Sequence, residues 1–591
     1  MAKKRKPQNA VLFHHPEAVD TSGPRLMGRH AAGEGFLKGF VRHSGVDAFY
    51  CQTLNAEHFD DFKTRLGALD QNKRDCHLVP LGKMGGKMGG QTGGQTAGHD
   101  VKTLMLPEPT LAPFAWRRRG ADNRGYSLCG LSHTMASARI MDGLGDLLTA
   151  PLQPWDALIC TSNAAKTAIT MVLDNLGDYL NHRGGPEEAF KPLFQMPVIP
   201  LGVDCDAYPS GDKAERESRI IRRGLGIGED DITVLYFGRL SFHAKAHPTP
   251  MYLALEEATK RCGKKFHLIQ AGWFANDGID KEFREGAQAY CPSVNCIFLD
   301  GREADVRFKV WGAADIFTSL SDNIQETFGL TPIEAMAAGL PVVVSDWDGY
   351  RDTVRHGVDG FTIPTWLPLA GSGGDLALAP EMTLSPTAAD KAYDHYLGFV
   401  SQCASVDIAA ATEAYVALAN DLALRKKMGD AGRKRARDTF DWRIVVGEYQ
   451  TLWRDLENIR NREDEIAPAV PGRPPVPLRD DPFTLFEGYA TETIDGNTVA
   501  SLVFNEDAGD LTQRLDAVRA QYMNVFAAAA HLDRDEQDII LSKLDEEGHL
   551  DILSLAELFP ADRRYLLART IAWLVKMGIV HLDVAVGEPK S

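Results

Sequence analysis

Short apolar runs alternate with amphipathic stretches along the first three-quarters of the chain. AVLF (Ala10 to Phe13) is followed by a helical pattern near Gly33 to Arg42 and then by strand-like DAFYCQT, while DALICTS precedes a second helical pattern from Ala164. PVIPLGVD (Pro197 to Asp204) closes this half, and ITVLYFGRL (Ile232 to Leu240) opens another with a new strand. Strands that alternate with helices build parallel sheets covered on both faces. The order therefore predicts two doubly wound α/β domains with a cleft between them. Farther on, Trp442, Tyr449, Leu452 and Trp453 form a stripe on a helix ending near Ile459, and such a stripe needs an apolar surface to cover.

The clearest unit runs from Ala314 to Asp346. ADIFTSL reads as a buried strand, VVVSD as the next, and a loop and short helix lie between them. Thr331 suits an N-cap, Pro332 the first helical position and Gly339 the residue after the helix, while Pro341 forbids continuation. In an open parallel sheet, ligands sit beyond the carboxyl ends of the strands. A helix starting there offers unpaired N–H groups and a partial positive charge, which suits a phosphate-sized anion.

Composition adds boundaries. The 591 residues are 44% hydrophobic and 25% charged, and no apolar run is long enough to span a bilayer. The start, MAKKRKPQNA, has the charge of a signal peptide without the apolar core that should follow. Lys3, Lys4, Arg5 and Lys6 read as a solvated tip, with a weak tether to anionic lipid as the other reading. Nine cysteines without a CxxC pair give neither a disulfide framework nor a zinc site, so a reducing cytosol is the simplest compartment. Net charge is −17, and the stretch from Asp481 to Ser591, with 20 acidic and 9 basic residues, holds −11 of it, which argues against nucleic-acid binding there.

Three breaks divide the chain. LGKMGGKMGGQTGGQTAG (Leu81 to Gly98) cannot pack a core and reads as a surface loop, either a passive insertion or a lid. A polar interval from Pro364 to about Val406 separates two α/β elements. IAPAVPGRPPVPLRDDP (Ile466 to Pro482) is a proline-stiffened linker, after which a helical pattern with a β-like end, Arg563 to Leu582, suggests a small winged-helix-like unit.

Candidate chemistry gathers in the second half. Glu326 and Glu334 are eight residues apart around the helix start, and Gly329 permits close backbone approach to an anion. Alone, Glu334 is also explained as the far end of a capping box with Thr331, and Glu326 as a polar loop residue. Arg239, just after a strand, and Lys245, six residues on, offer a planar fork and a point charge to a leaving diphosphate. A basic turn without a ligand is the other reading.

Together these motifs resemble the retaining glycosyltransferases of GT-B fold, family 4, over roughly Ala10 to Ile459. The resemblance is carried by Gly33-Glu34-Gly35, His133 in LCGLSHTM, IPLGVD, GRL with its lysine, the glutamate pair with GLTPIEAMAAGLPVV, and HGVDGF from His356 to Phe361. It implies two Rossmann-like domains, 1–200 on the acceptor side and 201–432 on the donor side, then a helix crossing back (433–465), the linker (466–482) and an acidic, mainly helical accessory domain (483–591). Gly35 and the backbone at Phe328, Gly329 and Leu330 would join the substrate site, with Arg239 and Lys245 on the diphosphate, Glu326 on the donor sugar, Glu334 on ribose and His133 near the reacting sugar. The arginine-to-lysine spacing is one residue longer than usual in that family, so the loop after Arg239 must bulge, and Asp352 stands where glutamate is common.

The resemblance further implies hexose transfer from a nucleotide-diphosphate sugar to a carbohydrate or lipid-linked acceptor hydroxyl with retention, in the manner of polysaccharide biosynthesis. No cofactor or metal is expected, although Asp204-Cys-Asp206 and Asp346-Trp-Asp348 both spell the DxD pattern of metal-dependent glycosyltransferases. A nucleotide-sugar epimerase and a non-catalytic nucleotide-sugar-binding protein are the alternatives. A cytoplasmic enzyme, soluble or peripheral at the membrane, with a protein partner for the acidic domain completes the expectation.

Overall fold

The computed structural model describes residues 6–21, 23, 28–81, 84, 101–133, 135–184, 190–208, 211–378, 386–503 and 510–583. Lys3, Lys4, Arg5 and nearly all of the glycine-rich repeat at 81–98 lie outside the described residues.

Two six-stranded parallel sheets form the main body. The first contains β1 (Val11–Phe13), β2 (Ala48–Gln52), β3 (Asp75–Leu78), β4 (Thr103–Met105), β5 (Ser127–Leu131) and β6 (Ala157–Ile159), in the order β3-β2-β1-β4-β5-β6. The second contains β7 (Ile232–Phe237), β8 (Phe266–Gly272), β9 (Asn295–Asp300), β10 (Ile316–Ser319), β11 (Val342–Ser345) and β12 (Gly360–Ile363), in the order β12-β11-β10-β7-β8-β9. Numbered within its own domain, each sheet runs 3-2-1-4-5-6 or its mirror listing, the doubly wound arrangement the alternating pattern predicts. Strands β8, β10 and β11 are buried throughout, because helices cover both faces.

The helix Trp442–Arg462 crosses back to the first domain, as its aromatic stripe requires. Trp442 seats against the first-domain helix Gly28–His43, where a Cβ at Gly39 would lie 2.6 Å from the indole, and Trp453 packs edge-on against Phe40 at 5.8 Å between centroids. One apolar core consequently runs from Phe40 and Phe49 through Trp442 and Trp453 to Ile333 and Val344 of the second domain.

The polar interval is an insert with a stalk. β13 (Thr365–Trp366) pairs antiparallel with β14 (Ser405–Val406), so the chain leaves and returns at one place, and the helix Pro386–Gln402 lies between. The chain divides into compact units between Val476 and Pro477, inside the proline-rich stretch. The second unit has its own core, including Ile540, Leu544, Leu555, Ile571 and Leu574. It also has an antiparallel sheet of β15 (Val499–Leu502), β16 (His549–Asp551) and β17 (Val580–Asp583), with β15 central, alongside its helices.

The short helix in the second domain departs from expectation at its start. It spans Leu330–Ala338 with Gly329 as its N-cap, so Pro332 is its third residue rather than its first. Thr331 is not the cap, and its hydroxyl is buried without a partner. The cause is tertiary. Gly329 adopts φ +87°, and a Cβ there would come within 2.0 Å of the Tyr350 ring; the close approach selects glycine and turns the chain into the helix earlier than local propensity predicts. Gly339 ends the helix at φ +82°, as its position predicts.

Candidate active site

In each sheet the order reverses between the first and fourth strands, the point beyond whose carboxyl ends open α/β sheets hold ligands. In the second sheet the reversal lies between β7 and β10. Arg239 and Lys245 follow β7, and Glu326 lies in the loop that leaves β10. The fold thus joins Lys245 to a carboxylate 81 positions away, with no helix or strand periodicity linking them.

The loop after Arg239 makes the bulge that its extra residue demands. Ser241 O accepts from both Lys245 N at 3.1 Å and Ala246 N at 3.2 Å, a wide turn that carries the lysine back over the sheet end. Lys245 Nζ then donates to Glu326 Oε2, with both side chains mostly buried. Burial opposes ionisation of Glu326, but Lys245 and the N–H groups of Phe328 and Thr327 outweigh it and hold the carboxyl below its usual range. Arg239 donates through Nη2 to Ala244 O at 2.7 Å and to Gln325 Oε1 at 2.6 Å. Burial lowers its proton affinity, and Tyr236, Tyr393, Asp394 and Glu326 act in the opposite direction. The result is two cations and a carboxylate held at the carboxyl end of one sheet.

Glu334 does not close a capping box, since Thr331 is not the cap. Burial raises its pKa, while Arg307 and a hydrogen bond from Tyr208 offset part of that. Phe328 is buried, so only its backbone can serve a ligand, and its N–H is already directed to Glu326. Gly329 and Leu330 stand at the helix start, where the opening N–H groups have no intrahelical carbonyl.

One neighbour escaped the sequence reading in this role. Asp348 has φ +38°, and its Oδ2 is buried without a partner. Burial holds its carboxyl well above the usual range, and the charge of Glu326 adds to the effect. Gly349 allows the approach: a Cβ there would lie 2.4 Å from the α-carbon of Phe328. The only signal in the sequence was the DxD spelling.

The first domain meets this end of the second sheet. Thr161 Oγ1 donates to Thr327 O at 3.5 Å, and Asp352 accepts from Asn163 N at 2.6 Å and Asn163 Nδ2 at 3.1 Å, capping the helix Asn163–Gly184 from across the junction. His133 follows β5 and bonds through Nε2 to Pro107 O; burial lowers its pKa. Gly35 lies within the helix Gly28–His43, where a Cβ would be 3.3 Å from Trp442, a tight contact that favours a glycine there. Of the residues predicted for the site, the fold joins Arg239, Lys245 and Glu326 at one place with Gly329 and Leu330 beside them, whereas His133 and Gly35 are engaged by Pro107 and Trp442.

The DxD aspartates are differently engaged. Asp204 pairs with Arg42 at 2.5 Å, and Asp206 pairs with Arg437 at 3.2 Å and Arg443 at 3.1 Å. Asp346 faces Arg351 at 3.5 Å. Among the described residues no helix is long and apolar enough to cross a membrane.

Residues 217–366 match the family described as glycosyl transferases group 1, which bears out the sequence resemblance over the segment carrying both cations and both glutamates. D-inositol 3-phosphate glycosyltransferase of Geodermatophilus obscurus is 29% identical over 170 residues, covering 28% of this chain and 36% of that protein. The enzyme of the same description from Segniliparus rotundus is 28% identical over 251 residues, covering 42% of this chain and 52% of that protein. The chain thus spans between about a third and a half of the length of these relatives. Among solved structures, sucrose-phosphate synthase from Thermosynechococcus elongatus aligns at 16% identity and TM-score 0.46, covering 76% of this chain and 99% of that one. Anabaena HepE in complex with UDP-glucose aligns at 15% identity and TM-score 0.43, covering 75% and 98%.

Proposed function

We propose that the chain is a retaining glycosyltransferase that moves a hexose from a nucleotide-diphosphate sugar to an acceptor hydroxyl, without a metal. The observation that carries this reading is the convergence of Arg239, Lys245 and Glu326 at the reversal point of the second sheet, beside the start of the helix Leu330–Ala338. When the glycosidic bond to the nucleotide breaks, negative charge grows on the diphosphate. A guanidinium, an ammonium and helix-start N–H groups are suited to receive it, and their effect is greatest in a site shielded from water. Lys245 also holds Glu326 ionised before the donor arrives, ready to accept a hydroxyl of the sugar. Glu334, free of any capping role, would hold the ribose. The group 1 match over residues 217–366 supports the same reading.

A thermal-shift screen with uridine, guanosine and adenosine diphosphates and their sugars tests the binding half, since a ligand that prefers the native state raises its melting temperature. Transfer is then assayed with the sugar nucleotide that binds. Turnover should persist in a chelator; loss restored by magnesium would return the DxD reading. Conversion of the nucleotide sugar without any acceptor would identify an epimerase instead, and binding without chemistry would identify a sensor.

A further inference from the structure

The insert between β13 and β14 lies outside the main alternation of strands and helices, yet its helix reaches the cation pair. Tyr393 Oη accepts from Gln325 Nε2 at 2.7 Å, and the other end of that amide accepts from Arg239 Nη2 at 2.6 Å. The helix is fixed on the C-terminal side of this contact. Ser401 Oγ donates to Asp322 at 3.2 Å, and Asp322 in turn accepts from His247 N at 3.3 Å. Leu397 is fully buried with Ala244, next to Lys245, and with Ala136 of the first domain. Gly398 lets the helix lie close to the cation loop, since a Cβ there would be 3.2 Å from that of His243. A guanidinium on a flexible stem gains precision when its fork is held by fixed acceptors. Gln325 is such an acceptor only while its amide is kept from flipping, and the Tyr393 hydroxyl supplies that constraint.

We propose that Tyr393 is a positioning residue, which acts through Gln325 to aim Arg239 at the diphosphate of the donor, from a helix braced against both domains. This rests on the glycosyltransferase reading, and the test separates the two. Nucleoside diphosphate binding to the unaltered protein is measured first; if none of the three binds, the functional reading fails before the relay is examined. With a binding diphosphate identified, Tyr393→Phe is compared with Tyr396→Phe, which removes a hydroxyl from the same helix outside the relay. The expected result is about a threefold to tenfold loss of diphosphate affinity and of kcat/KM for Tyr393→Phe alone, with both melting temperatures unchanged. In a Gln325→Ala background, Tyr393→Phe should cost markedly less than in the unaltered protein, because the hydrogen-bonded path is already cut. Equal effects of the two tyrosine variants, or full additivity with Gln325→Ala, would overturn the assignment.

Discussion

The charges that define the site are also the least comfortable residues in it. Removing Glu326 as alanine leaves Lys245 without its carboxylate and, on the proposed reading, the donor sugar without an acceptor, so turnover is expected to fall about 100-fold or more while the fold persists, as circular dichroism would check. Asp348 points the other way. Its buried, unpartnered oxygen beside Glu326 is a standing cost, and Asp348→Asn should stabilise the ligand-free protein by about 1 kcal/mol in urea unfolding. A loss of stability would mean that the carboxylate has a partner in solution. Asp322 provides a pH test. Burial pushes its pKa up to about 7 from 3.8, so the native state holds that proton more tightly than the unfolded chain does. Its contribution is greatest at low pH and is lost as pH rises from about 4 through 7, on the order of 4 kcal/mol in all. Asp322→Asn should therefore shrink the difference between urea midpoints at about pH 5 and about pH 8, and an unchanged difference would put the titration elsewhere.

At the scale of elements, legibility follows from how local the cause is. Strands β7, β10 and β11 could be read because burial on both faces leaves continuous apolar runs, and the crossing helix because its aromatic stripe has helical spacing. The glutamate pair was legible because glycine and proline punctuate the helix that starts between them. The start of that helix was not, because it depends on the Tyr350 ring beneath Gly329, and no propensity at Thr331 reports a ring farther along the chain. Gly329→Ala combines an unfavourable φ with overlap against that ring, so it should cost about 2–4 kcal/mol in urea unfolding and disturb the site as well. Stability equal to that of the unaltered protein would show that Tyr350 can move aside. The insert was legible only as extra chain. Its hydrogen bond from Gln325 to Tyr393 spans 68 positions, and a polar contact of that kind leaves no periodic trace.

The whole molecule joins two kinds of organisation. Residues up to Val476 share a core that passes from the first domain through Trp442 and Trp453 into the second, so neither sheet domain keeps a complete core without the crossing helix. Trp442 is the pivot of that core, seated in a socket whose walls at Gly39 and Gly202 leave no room for a side chain. The stretch from Pro477 onward closes a separate core around Ile540, Leu555 and Ile571, with a sheet of its own. Two cores without a shared set of buried side chains predict two cooperative units. A chain ending at Val476 should therefore retain diphosphate binding and the melting transition of the main body, while losing a separate transition that calorimetry detects in the full chain. If shortening abolished binding or lowered the main transition, the accessory unit would be contributing to the main body directly, and its acidic residues would belong to that body rather than to an appendage of it.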